Sequence, residues 1–331
     1  MAPDLDGEPV ASRDVVVIAG SAGALEALKK IVADLPVDLR AAVLIVVHMR
    51  STGPSLLSSI LDRIGGMPAV SPRDGDRLAP GYIYVASPGH HLKLEDSRLR
   101  LDHGPRVNGV RPAADVLFRS AAMVFGPRVV GVILSGGLDD GAAGLAAIRA
   151  AGGVGIVQAP EDAVIPGMPK SAIERADPEH IAAADEIGGL IASVVSGSFN
   201  HERAPIAGKG GVVEVVEAVG AGDGPGQISG ITCPECHGSL WVRSEQGALT
   251  YECRIGHALS PDTLFDLQAE NLEQALWAGV RALEEQGSLS RFMADAARRR
   301  GDEEDADRYD GRHRRAEANA RSLRQLLMDR N

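Results

Sequence analysis

Short apolar runs alternate with segments of helical periodicity up to about residue 195. The runs at residues 15–18, 43–47, 82–85, 129–134 and 154–157 are continuous and rich in Val and Ile. Between them apolar positions recur three and four residues apart, as from Leu25 to Leu35 and from Leu56 to Ile64. Strands that are apolar on both faces are typical of parallel sheets covered by helices on either side. The pattern therefore predicts a doubly wound α/β fold with a mainly parallel sheet.

One segment has a different period. Residues 91–95 and 98–102 alternate between apolar and polar positions, and Asp96-Ser97 separates them. Two turn-forming residues between alternating runs predict an antiparallel hairpin, inserted into the parallel fold.

The composition changes after residue 195, so we divide the chain into four regions. Residues 14–195 form the α/β domain, and residues 196–229, rich in Gly and Ala, form a linker. Residues 230–260 contain all three cysteines of the chain. In residues 261–331 apolar positions recur mostly at intervals of three and four, which predicts amphipathic α-helices.

Charge and hydropathy exclude several classes of function. The chain has 331 residues with 45 acidic and 34 basic side chains, a net charge of −11, so binding of nucleic acid through phosphate neutralisation is not expected. The longest apolar runs are far shorter than the roughly 20 residues of a membrane span, so no membrane insertion is expected. The N-terminal residues lack the apolar core of a secretory signal, and we expect a cytoplasmic protein.

Three predicted strands end in residues with reactive side chains. The first strand runs into a Gly-rich turn at Ser21, the second ends at His48, and the Gly-rich loop after residue 134 contains Asp139 and Asp140. Ligands of open parallel sheets bind outside the carboxyl ends of the strands. A serine nucleophile needs an imidazole as base and a carboxylate to orient that imidazole. These residues predict a serine hydrolase site, with either aspartate as the acid.

Two other interpretations fit parts of this pattern. The turn at residues 20–23 could receive a phosphate, but a dinucleotide-binding fold expects an acidic residue at the end of the second strand, where this chain has His48. Each polar residue could also serve only as a cap or a turn former. Their coincidence at three strand ends favours the hydrolase. Amides after Ser21 and in the Gly136-Gly137 turn could then bind an oxyanion.

Residues 14 to about 195 resemble the catalytic domain of the CheB-type chemotaxis protein-glutamate methylesterases. The segments that carry the resemblance are residues 18–23, 46–49, 81–86, 88–92, 111–118, 132–144 and 167–169. The resemblance implies that Ser21, His48 and Asp140 form a catalytic triad, which hydrolyses methyl esters of receptor glutamates and releases methanol. It also implies deamidation of receptor glutamines, and a methylated chemoreceptor-type protein as the partner.

The resemblance extends to groups around the triad. The family's oxyanion amides would be those of Ala22 and Gly137, and Arg111 is expected to contact the substrate. Two departures from the family pattern, Ala24 after the nucleophile turn and Asp139 beside Asp140, favour an alternative. In that alternative the chain is a non-catalytic or weakly catalytic signalling module that engages a partner through its C-terminal regions.

Regulation is expected to differ from that of the best-known family members, which carry an N-terminal phosphoreceiver domain. The short segment ahead of the first strand leaves no room for such a domain. We therefore expect no control by phosphorylation in cis.

The cysteines have the spacing of a metal site. Cys233 and Cys236 form a C-x2-C pair, and Cys253 and His257 follow as C-x3-H. Three thiolates and one imidazole predict a closed, structural zinc site, with no further cofactor for catalysis. His237 is a competing imidazole, but it directly follows Cys236, which would strain a shared tetrahedron. The alternative is three buried, inert cysteines.

The residues between the cysteines predict a small hairpin. Apolar runs at residues 240–242 and 249–251 flank Gln246-Gly247, as in a zinc ribbon. The region resembles the Cys-rich extension of some stand-alone relatives of this esterase family. The helices that follow could contact the parent domain, dimerise or bind a signalling partner.

Overall fold

The structure is a computed structural model that describes residues 13–48, 56–198, 226–245 and 248–329. The chain divides into two compact units, Met1–Leu264 and Phe265–Asn331. Most of the predicted linker, residues 199–225, lies outside the described residues.

Among the described residues, nine strands belong to the α/β part of the first unit. They are β1 (Val15–Gly20), β2 (Ala42–Val47), β3 (Ala69–Val70), β4 (Ile83–Val85), β5 (His91–Glu95), β6 (Arg98–Asp102), β7 (Val129–Ile133), β8 (Val154–Gln158) and β9 (His180–Ala182). Seven of them form a parallel sheet in the order β3-β4-β2-β1-β7-β8-β9. The strands β5 and β6 pair as the predicted antiparallel hairpin, with Asp96 and Ser97 at positive φ in its turn.

Helices cover both faces of this sheet. They are α1 (Ala24–Asp34), α2 (Leu57–Ile64), α3 (Ala114–Phe125), α4 (Ala142–Ala150), α5 (Gly167–Ala176) and α6 (Ala184–Val195). The helices α1, α2 and α6 pack with Val16 and Ile18 on one face, and α3, α4 and α5 pack with Val15 and Val17 on the other. Successive side chains of a strand point to opposite faces, so a continuous apolar run supplies both cores. The predicted doubly wound fold with its hairpin is confirmed.

A second, smaller sheet follows within the first unit. Its strands are β10 (Gln227–Thr232), β11 (Ser239–Glu245), β12 (Ala248–Cys253) and β13 (Ala258–Leu259), antiparallel in that order. The predicted hairpin between the cysteine pairs is the β11–β12 pair. We call residues 227–260 the C-terminal sheet module. It contacts the α/β part where Val107 bridges to Ala258.

The second unit consists of helices, as the sequence predicts. The helix α7 (Pro261–Arg299) begins in the first unit, and α8 (Glu303–Met328) follows a short turn. Arg298 pairs with Asp310 near that turn and Arg324 pairs with Glu284 farther along, so the two helices run antiparallel. In the described parts of the chain no helix combines the length and apolar character of a bilayer span.

Candidate active site

Ser21 lies in the turn between β1 and α1. Gly23 adopts a φ of 82°, which is rare for residues with a side chain, and so lets the chain turn into the helix. The Ser21 N–H donates to the carbonyl of Ser135 at 2.9 Å. A Cβ atom at Gly136 would lie 2.9 Å from the Ser21 Cβ and would also clash with Met168. Ser21 is therefore held closely against the chain that leaves β7.

His48 leaves the sheet beside Ser21. Gly20 and Val47, the residues just before them, are opposite each other in the parallel β1–β2 ladder. The His48 N–H donates to the Gly20 carbonyl at 3.1 Å. Because adjacent strands lie about 4.8 Å apart, the serine and the histidine start from neighbouring points at the same edge of the sheet.

Asp140 orients the His48 ring. The Nε2 atom of His48 lies 2.7 Å from Asp140 Oδ2, and the histidine side chain is 13% exposed. With Nε2 held by this carboxylate, Nδ1 is the ring nitrogen that remains to accept a proton. The structure thus brings the predicted histidine and aspartate into direct contact.

Asp140 is buried, but its carboxylate accepts several hydrogen bonds from protein groups. Its Oδ2 also accepts from the Ala114 N–H at 2.6 Å, and its Oδ1 accepts from Asn108 Nδ2 at 3.0 Å and the Asp115 N–H at 3.2 Å. Burial alone would raise the pKa of this carboxyl. The hydrogen bonds from His48, Ala114 and Asn108 outweigh burial and place the pKa below its ordinary value. Asp140 is therefore ionised at neutral pH.

The two predicted oxyanion amides are available for a ligand. Within the described part of the chain, the N–H groups of Ala22 and Gly137 donate to no protein acceptor. A Cβ atom at Gly137 would meet nothing within 4 Å, so the space beside this residue is open. Amides of this kind next to a serine can bind an oxygen that gains negative charge. Their role remains a prediction.

Asp139 points away from His48. Its Oδ1 accepts from Ser260 Oγ at 2.7 Å and Thr263 Oγ1 at 3.0 Å, and Arg175 lies 3.6 Å from its Oδ2. Of the two aspartates left open by the strand-end pattern, Asp140 is therefore the one that contacts the imidazole. Asp139 is instead a buried carboxylate that binds the segment after β13.

Arg111 binds the protein's own backbone. Its Nη1 donates to the carbonyls of His103, at 3.0 Å, and Gly104. The guanidinium therefore holds the loop that follows β6, and the substrate contact expected from the resemblance stays a prediction.

Sequence reasoning did not single out Asn108 and Asp115 as site residues. Asn108 donates to both Asp140 and Asp115, at 3.0 and 3.2 Å. Burial and the nearby charge of Asp140 raise the pKa of Asp115 to about 7. The one sequence signal for Asn108 is the Asn-Gly pair, which is typical of a turn, and both residues have positive φ.

The four predicted metal ligands lie together in the C-terminal sheet module. One ligand atom from each of Cys233, Cys236, Cys253 and His257 falls within 4.8 Å of all the others. The Sγ atoms of Cys236 and Cys253 are 3.6 Å apart, and His257 Nδ1 is 3.5 Å from the Cys253 Sγ. These separations fit ligands placed about 2.0–2.3 Å from a shared tetrahedral ion. His237, the competing imidazole, is not in the group.

Apolar side chains are exposed close to Ser21. Val164 is 69% exposed and lies against Gly23, and Ile165 binds Ser135 through its backbone. Leu25, in the first turn of α1, and Leu138, in the loop between β7 and α4, are also exposed. The site therefore opens onto a partly apolar surface, of a kind that suits a macromolecular substrate.

Comparisons with known proteins find similarity in the α/β part of the chain. The profile of the family described as CheB methylesterase matches residues 16–191. A protein-glutamate methylesterase/protein-glutamine glutaminase of Symbiobacterium thermophilum is 38% identical over 187 residues, which cover 55% of this chain and 51% of that relative. A second protein of that description in Koribacter versatilis is 36% identical over 191 residues, covering 55% of this chain and 53% of the relative.

A solved structure agrees with these matches. The crystal structure of the Thermotoga maritima CheB methylesterase catalytic domain superposes with a TM-score of 0.52 at 30% identity. The match covers 56% of this chain and 100% of that one. By contrast, this chain spans about half the length of the Symbiobacterium and Koribacter relatives.

Proposed function

This chain belongs to the CheB methylesterase family, and on that basis we propose that it is a serine hydrolase that demethylates glutamate methyl esters on chemoreceptor-type proteins. The observation that carries the proposal is the 2.7 Å contact between His48 and Asp140 at the strand end next to Ser21. That contact supports the proposal, because a serine nucleophile requires a base and an acid that orients the base.

The first half of the reaction forms an acyl-enzyme. His48 Nδ1 takes the proton of Ser21 Oγ as this oxygen attacks the ester carbonyl, and the amides of Ala22 and Gly137 bind the resulting oxyanion. The tetrahedral intermediate then collapses, and the C–O bond to the methoxy group breaks. His48 returns the proton to the leaving oxygen, so methanol departs. Asp140 stabilises the imidazolium while His48 holds the proton.

The second half regenerates the serine. A water molecule attacks the acyl carbonyl, gives its proton to His48, and releases a glutamate carboxyl as the Ser21 oxygen recovers that proton. With a glutamine side chain the same steps release ammonia in place of methanol. Each turnover adds one negative charge to the receptor surface, a change that can shift a signalling equilibrium.

The activity is tested by methanol release from a methylated receptor. Full-length protein incubated with methylated receptor cytoplasmic fragments should release methanol and leave glutamate at each modified position, which mass spectrometry detects. Protein that binds the fragments and releases no methanol would support the non-catalytic signalling alternative instead.

We also propose that the group of three cysteines and His257 in the C-terminal sheet module binds a zinc ion with a structural role. The support is the donor set, three thiolates and one imidazole, which leaves no open position for substrate. Thiolate ligands need a reducing compartment, and this supports a cytoplasmic location. Exposed apolar side chains on α7, among them Phe265 and Trp277, support a partner-binding role for the C-terminal helices.

Elemental analysis should find about one zinc per chain, the content of a single four-ligand site. Replacing Cys236 with Ser should release the zinc, since one thiolate is lost, and should lower the unfolding temperature. The matched control is Ser239→Ala, a change on β11 outside the four ligands. Zinc-free wild-type protein, purified without chelator, would contradict the assignment.

A further inference from the structure

We propose that the C-terminal sheet module completes the active site by fixing Asn108, which acts as a positioning residue for Asp140. This inference rests on the proposed function, because it concerns the same triad. The module lies outside the region that matches the family, residues 16–191, so the inference gives this additional module a role in the site.

The last strand of the module binds the loop that carries Asn108. The Asn108 N–H donates to the Ala258 carbonyl at 2.7 Å, and the Ala258 N–H donates to the Arg106 carbonyl at 3.3 Å. Val107 bridges to Ala258 between these two bonds. The strand β13 therefore extends its pairing onto residues 106–108 of the α/β part.

Ser260 sets the orientation of the Asn108 side chain. The Ser260 N–H donates to Asn108 Oδ1 at 3.1 Å, which directs the amide nitrogen toward Asp140 and Asp115. The reversed amide would leave the Ser260 N–H without its acceptor and set an oxygen against the ionised Asp140. Asn108 and Ser260 are each only 7% exposed, so water does not substitute readily for either bond.

The same serine binds the second carboxylate. Ser260 Oγ donates to Asp139 Oδ1 at 2.7 Å and accepts the Thr263 N–H at 3.1 Å, and Thr263 Oγ1 donates to the same Asp139 oxygen. Asp139 is 2% exposed, and a buried carboxylate without donors would be costly. The segment after β13 thus supplies donors for the residue next to Asp140, and this holds the loop that carries the catalytic acid.

The metal group lies directly ahead of this contact. His257 precedes Ala258, and the Cys253 N–H donates to the His257 carbonyl at 3.0 Å. An ion that joins Cys253 and His257 to Cys233 and Cys236 would fix the turn from which β13 emerges. Metal occupancy should therefore determine how firmly Asn108 is held.

The test measures Ser21 reactivity and turnover in the full chain. Asn108→Ala should slow covalent labelling of Ser21 by a fluorophosphonate probe by about tenfold or more, because Asp140 loses a positioning donor. The kcat for methanol release should fall by the same factor. A tenfold change corresponds to about 1.4 kcal/mol. The KM should stay unchanged, since Asn108 faces carboxylates and not substrate. The matched control is Ser229→Ala, which removes the bonds of this hydroxyl to the Leu240 carbonyl and the Ile231 N–H inside the module and should leave both rates at the wild-type level.

Removal of the metal tests the inference in a second way, without a substitution in the site. Chelation should slow labelling by a similar factor, and added zinc should restore it, while circular dichroism verifies that the α/β part stays folded. Labelling at the wild-type rate in either Asn108→Ala or metal-free protein overturns the inference, as does a raised KM with unchanged kcat. If Asn108→Ala does not fold, Asn108→Leu, which has a similar volume and no donor for Asp140, takes its place with the same expected slowing. A wild-type protein that neither labels nor releases methanol refutes the proposed function instead.

Discussion

Ser21→Ala should lower methanol release from methylated receptor fragments by at least about 10³-fold, because the proposed acyl-enzyme forms on the Ser21 hydroxyl. Full-length wild type and variant would be compared by gas chromatography of the released methanol. The unfolding temperature should be nearly unchanged, since the bond from the Ser21 backbone to Ser135 does not involve the side chain.

The control for this substitution is Ser71→Ala. Ser71 is an exposed residue whose hydroxyl contacts only the Ser58 hydroxyl among the described residues, so its loss should leave turnover unchanged. Methanol release at the wild-type rate by Ser21→Ala would contradict the triad assignment.

Asp140→Asn should lower kcat by about 10³–10⁴-fold while the backbone stays in place. The carboxylate accepts from His48 Nε2, and an amide that turns its NH₂ group toward this nitrogen would stabilise the wrong tautomer. Labelling by a fluorophosphonate should fall in parallel, because Ser21 then lacks a base in the right form. Asp185→Asn, on the exposed first turn of α6, is the matched control.

The substitution should also change the pH dependence of stability. The pKa of Asp140 is lowered from 3.8 in the folded protein, so the ionised carboxyl stabilises the fold above the unfolded pKa. This contribution is lost as the pH falls through the folded pKa. The difference in unfolding free energy between wild type and Asp140→Asn should therefore shrink as the pH falls below about 4. A difference that grows as the pH falls below about 4, or an Asp140→Asn kcat near wild type, would contradict the role of this carboxylate.

The sheet could be predicted because its signal is local. Continuous Val and Ile runs predict strands buried on both faces, and Val16 and Val17 indeed enter the two different cores. The positions of Ser21, His48 and the Asp139-Asp140 pair at strand ends follow from the same reasoning, since parallel strands bring their carboxyl ends to one edge. The choice of Asp140 over Asp139 came from the family resemblance. The short strands β3 and β9, of two and three residues, were not singled out because such runs are too brief to show a period.

The support around the triad could not be predicted from the sequence. Asn108 and Ser260 lie 152 positions apart, and no periodicity relates two residues that meet only through folding. For Asp139 the difficulty is that two residues adjacent in the sequence have different partners in the structure. Its neighbour in the sequence is the proposed catalytic acid, yet the adjacent side chains diverge, one toward His48 and the other toward Ser260. The sequence spacing of the cysteines and His257 identified all four residues of the metal group. The ligands of such a site are separated by few residues along the chain.

Mass spectrometry of the wild-type protein after reaction with a fluorophosphonate probe tests most directly whether Ser21 is the activated nucleophile. A single adduct on the peptide that contains Ser21, absent after Asp140→Asn, is the expected result. An adduct on another serine, or labelling of Ser21 that does not depend on His48 and Asp140, would contradict it.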